Sequence, residues 1–103
     1  MPKFLYVYHG GSAPEGEAEQ QKVMAAWGAW MGGLGAALVD GGAPVGLSKT
    51  VSSEGVADDG GANPASGYSL VEAPDQAAAV TMAQGCPILE AGGSVEVAEI
   101  HQM

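Results

Sequence analysis

A histidine closes the first apolar run of this sequence. In Phe4-Leu5-Tyr6-Val7-Tyr8-His9 it is followed at once by Gly10 and Gly11. A histidine at a strand mouth can act as a general base, because its ordinary pKa lies near working pH. A hydrogen-bonded strand-end histidine is the plainer role, yet His9 is the first candidate for catalysis among the polar residues. Cys86 is a nucleophile only if a positive group stabilises its thiolate. It falls at the C-terminal end of an expected helix, whose negative partial charge raises a thiol pKa, so a packed, inert cysteine is the more ordinary reading. Trp27 and Trp30 can wall a flat ligand, although at helical spacing such residues more often build core. Tyr6, Tyr8 and Tyr68 pose the same choice with a hydroxyl added. Lys49 either anchors a ligand anion or is an exposed strand lysine. Together Tyr6, Tyr8, Trp27, Trp30, Lys49, Tyr68 and Cys86 form the candidate ligand-binding set beside the catalytic candidate His9.

Metal chemistry finds little footing. His9 and His101 are the only histidines, and no His-x-His or Cys-x-x-Cys spacing occurs. Asp58 and Asp59 sit among glycines but lack the alternating oxygen ligands of a calcium loop. No glycine-rich segment is followed by the lysine of a phosphate-binding loop. No metal and no cofactor is expected.

The charge balance narrows the partners. Twelve Asp and Glu face three Lys and no Arg, for a formal net charge of -9. Nucleic-acid binding needs clustered cations that displace phosphate counterions, and Lys3, Lys22 and Lys49 are scattered. An anionic membrane surface is excluded on the same ground. Without Arg, the bidentate clamp for carboxylate or phosphate is missing. A small neutral or cationic ligand suits this field. One cysteine allows no intrachain disulfide. No signal-like basic-then-apolar opening and no membrane-length apolar run is seen, so a reducing cytoplasm is the expected location.

The elements that must position these residues follow from the patterning. Length allows one domain, residues 1–103. Phe4–His9 reads as a strand, ended by the Gly10-Gly11-Ser12 segment with Pro14. Glu17–Leu38 reads as a helix, with Val23, Trp27, Trp30, Leu34 and Leu38 at steps of three and four. Its start is acidic, as the helix dipole favours. Gly28, Gly32, Gly33 and Gly35 weaken it by up to ~1 kcal/mol each; they are tolerable if they let the helix approach a sheet, and the rival reading breaks it at Gly32-Gly33. Asp40–Pro44 reads as a turn, Val45–Val51 as a strand, and Ser52–Gly55 as a hairpin tip returning through Val56. A loop over Asp58–Ser66, a strand over Gly67–Ala73, a helix capped by Asp75 through Gln84, a stop at Gly85-Cys86-Pro87 and a strand over Ser94–Ile100 complete the chain.

This order is the ferredoxin-like βαββαβ sandwich, an α+β fold with an antiparallel sheet and both helices on one face. The first strand is apolar on both faces, whereas a half-exposed strand should alternate. A second copy is the simplest cover for the other face, enclosing a cavity between two sheets. A homodimer is therefore expected.

The runs FLYVYHGG, MAAWGAWMGGLGAALVD, SKTV, GYSLVEA and GCPILEAGGSVEVAEI resemble those of YCII-related proteins, and within them the DGPF-domain branch. The resemblance implies a dimeric α+β barrel. Some relatives resemble enzymes of aromatic-compound breakdown, including dehydrochlorination; others accompany sigma factors. In the enzyme-like branch a His on the first helix and an Asp after the second are proposed as an acid–base pair. Here Met24–Trp30 contains no His, and Cys86-Pro87 occupies the second position. The DGPF tetrapeptide is replaced by Asp58-Asp59-Gly60-Gly61-Ala62-Asn63. The dyad does not carry over. Two functions remain: a non-catalytic or regulatory module that binds a small molecule, aromatic or not, at the dimer interface, and a lyase, isomerase or dehydrochlorinase-like enzyme with His9 as the acid–base group.

Overall fold

Alternation in the first apolar run decides the core. The structure, a computed structural model, describes residues 1–12 and 15–101; Pro14, read above as part of a turn, lies outside them. Strand β1, Lys3–His9, places Phe4, Tyr6 and Tyr8 on one face, and all three are buried. Helix α1, Gly16–Leu34, and helix α2, Gln76–Ala83, both pack on that face. Trp27 of α1 meets Tyr8 edge-on at 5.0 Å between ring centroids, and the Tyr6 hydroxyl donates to the Ala79 carbonyl of α2.

The main sheet has the order β2-β5-β1-β6 with every neighbouring pair antiparallel. Its other strands are β2, Leu38–Pro44, β5, Ala65–Glu72, and β6, Ser94–Glu99. Two further strands, β3 Thr50–Ser52 and β4 Gly55–Ala57, form a separate two-stranded ribbon. This is the ferredoxin-like arrangement, with β1 and β5 at the centre and two helices on one side. The molecule is a slab of 43 × 42 × 18 Å, one helix layer and one sheet layer thick.

Several boundaries differ from the sequence-based expectation. The first helix stops at Leu34 instead of Leu38, because Gly35 takes φ 56° and a short 3-10 turn, Gly35–Ala37, follows. It does not break at Gly32-Gly33. Nor do its glycines serve close approach: a Cβ on Gly28, Gly32 or Gly33 would meet nothing within 4 Å. Asp40–Pro44, expected as a turn, is part of β2. Two register shifts against β5 let it bulge there, and Gly42, at φ 69°, lies so near Tyr68 that a Cβ would run into the Tyr68 carbonyl oxygen. Glycines inside a strand thus mark a bulge, not a chain reversal. The strand expected over Val45–Val51 begins only at Thr50, although the hairpin tip falls at Ser52–Gly55 as read. The loop expected through Ser66 ends earlier, since β5 begins at Ala65. Asp75 caps α2 as expected, accepting from the Ala78 N–H at 2.8 Å.

Candidate functional site

Small residues in β2 leave a space that no side chain of this protein fills. Gly41, Gly42, Ala43 and Pro44 form one side. Val23, Met24, Trp27 and Met31 of α1 stand opposite, and α1 has no fully buried residue. A Cβ on Gly41 would lie 3.8 Å from the Met31 sulfur, so the two walls face each other. Tyr8 and Gly67 make the floor, with Ser66, Tyr68 and Ile88 at the margins. The resulting half-open groove holds about 600 Å³, a size suited to a small organic molecule. None of its lining residues is charged.

Two hydrogen bonds run across the floor. The Tyr8 hydroxyl donates to Ser69 Oγ at 2.8 Å, and Ser69 donates to the Gly41 carbonyl at 2.8 Å. This relay ties β1, β5 and β2 together across the base. Burial pushes the Tyr8 and Tyr6 phenols up to about 12, so both remain donors. Trp30 sits behind the groove. Its indole N–H donates to the Met82 carbonyl at 3.0 Å, and its ring packs near those of Tyr6 and Tyr8. Cys86 is buried in the same core, and burial, the largest cause, raises its thiol pKa. A buried thiol held protonated is a poor nucleophile.

The structure therefore brings together Tyr8 and Trp27 at the groove, with Tyr6, Trp30 and Cys86 as their backing, while Tyr68 touches only the groove margin and shares the opposite sheet face with Val7. It places His9 and Lys49 elsewhere. Lys49 lies beyond β2, paired at 3.3 Å with Asp58, both side chains well exposed. His9 is on the opposite, uncovered face of the sheet. Its Nε2 lies 2.9 Å from Glu96 Oε1, and its Nδ1 lies 3.2 Å from the Pro64 carbonyl oxygen. With an acceptor at each ring nitrogen, the doubly protonated imidazolium is the form that satisfies both contacts. The Glu96 hydrogen bond raises the His9 pKa most, against partial opposition from burial.

Glu96, Ser66 and the β2 glycines escaped the sequence reading. Glu96 could have been found: β6 alternates Val95 and Val97 against Ser94 and Glu96, and antiparallel pairing of β6 with β1 sets Glu96 diagonal to His9. Among the described residues no group of three or more His, Cys, Asp or Glu side chains could hold a metal ion, and no helix is long and apolar enough to cross a membrane. The cavity expected between two facing sheets needs a second copy; within one protomer the large cavity lies on the helix side.

No curated protein and no solved structure matches the chain. The family model described as the YCII-related domain matches residues 4–103, nearly the full length, and the chain belongs to that family.

Proposed function

We propose that this YCII-related chain binds a small, uncharged, ring-containing molecule in the groove between α1 and the β2–β5 edge, as a homodimer and without covalent chemistry. The observation that carries the reading is the groove itself: about 600 Å³, aromatic on its floor and α1 wall, uncharged, and out of reach of His9 and Lys49. Apolar walls with few polar groups are the usual composition of small-molecule sites. Trp27 and Tyr8, already edge-on, offer a third ring an offset or T-shaped contact. The homodimer rests on the uncovered sheet face, where Leu5 lies between Leu70 and Ala98, and Val7 beside Tyr68.

Calorimetric titration with 2-naphthol tests the groove. Saturable binding with Kd on the order of 100 µM is expected for a ligand of this size. Gly41→Leu, whose side chain would enter the groove against the flexible Met31, should weaken it about tenfold or more. Unsaturable heats in the parent protein, or equal affinity in the variant, would sink the reading.

A second reading has one specific observation behind it, the His9–Glu96 contact on the uncovered face. An acid–base enzyme of the lyase or isomerase type would use the His9 proton there. His9→Ala would then abolish turnover while leaving 2-naphthol affinity unchanged.

A further inference from the structure

Between Pro44 and Ala65 the chain leaves the main sheet to form the β3–β4 ribbon. Val51 and Val56 are directly opposed across it, so both side chains stand on one face of the ribbon. They are 77% and 63% exposed, Leu47 in the segment leading to them is fully exposed, and so is every residue of both strands exposed. A two-stranded hairpin is at best marginally stable in water with nothing to pack on. Its base is nevertheless well fastened. Thr50 Oγ1 donates to the Asp59 carbonyl at 2.7 Å, and Gly60 fits so closely between Ser48 and Pro64 that a Cβ would lie under 3 Å from each.

The root of the ribbon sits at the open sheet face. The Pro64 carbonyl oxygen lies 3.2 Å from His9 Nδ1, and Ala65 pairs with His9 on that face. The Val45 N–H donates to the Ser66 carbonyl at 3.0 Å and closes the neck. No ribbon residue lines the groove. The 18 Å thickness leaves no room for the ribbon over the open face of its own protomer.

Building on the homodimer reading above, we infer that the ribbon is an arm that grips the second copy, with Val51 and Val56 packed on the flank of the partner's sheet. Two observations point to that occupant. The arm rises from the margin of the face that the second copy would cover, so the two surfaces are continuous. The face is also too small to hold a dimer alone. Four strands about 4.8 Å apart and about seven residues long offer roughly 440 Å², whereas a stable interface takes about 800 Å² from each partner. In a two-fold pairing each copy gives one arm and receives one, so the arm adds to the contact twice.

Sedimentation equilibrium at micromolar concentration, on the parent chain and on the double variant Val51→Ser, Val56→Ser, tests the arm. Both valines are exposed in the protomer, so far-UV circular dichroism should be unchanged. The dimer Kd should rise about tenfold or more, as expected when one or two valines no longer leave water on association. An unchanged Kd would overturn the arm while leaving the homodimer intact. A parent chain that sediments as a single protomer would overturn both. Loss of 2-naphthol affinity in the variant, with self-association unaltered, would make the ribbon a flap over its own groove and overturn the arm.

Discussion

The two faces of the same four strands are finished differently. On the helix side, Phe4, Tyr6 and Val71 are 1% exposed or less, and the Tyr6 and Tyr8 rings have partners in α1 or α2. On the other side, no helix of the described residues packs on the rows Leu70–Leu5–Ala98 and Tyr68–Val7–Glu96, and Tyr68 is 39% exposed. Both faces are apolar in sequence, yet only one is packed within the protomer. The comparison teaches that apolar alternation tells how many faces must be covered, while the count of helices tells how many can be.

The sharpest break of this comparison is Tyr6→Ala against a truncation on the open face. Tyr6 is fully buried, its ring is stacked near Trp30, and its hydroxyl is bonded to Ala79. Removing it should cost about 3–5 kcal/mol, enough to unfold much of a domain this small at room temperature. Circular dichroism with urea titration measures it. A cost under about 1 kcal/mol would mean the helix-side core is much looser than its geometry indicates.

Next in size is the open face. If a second copy covers it, Leu70→Glu buries a charge at the centre of that contact, and the dimer should dissociate with the protomer fold retained. Light scattering at micromolar concentration should read two protomers for the parent chain and one for the variant. A single protomer in the parent would leave the two faces unlike for some other reason and remove the proposed homodimer.

The same contrast explains what could be read from the sequence. β1, β6, the hairpin tip and the Asp75 cap are local patterns, set by alternation, by a turn and by one side-chain hydrogen bond within three residues. β2 was not legible, because Gly41 and Gly42 have the composition of a turn. They are strand only because β5 already offers a partner, and at Gly42 the close approach of the Tyr68 carbonyl excludes any Cβ. The groove was illegible for the same reason, being the volume those missing side chains leave. The aromatic residues were the right types for a ligand wall, but their division between Trp27 in the groove and Trp30 behind it depends on which carbonyl an indole N–H reaches. His9 stood out by its type; that it shares a face with Glu96 and not with Trp27 follows from strand register.

The smallest expected effect lies where the open face carries its own polar pair. The Glu96 hydrogen bond and the Pro64 carbonyl raise the His9 pKa above its ordinary 6.5. A raised folded-state value means the protonated form stabilises the fold. That contribution is complete below pH 6.5, provided Glu96 is ionised, and disappears as pH climbs through the raised value. Because the Glu96 side chain is 62% exposed, solvent screens the pair, and the contribution should be only about 0.5 kcal/mol, or ~2–4 °C in Tm. Glu96→Gln removes the charge and keeps the shape. Thermal melts from pH 5.5 to 8.5 should show the parent chain losing this increment toward high pH, with the variant lacking that loss. Parallel curves would mean the contact does not hold in solution. A loss much larger than the exposed pair warrants would point to a covered Glu96, and so to a partner seated on the face that the protomer leaves bare.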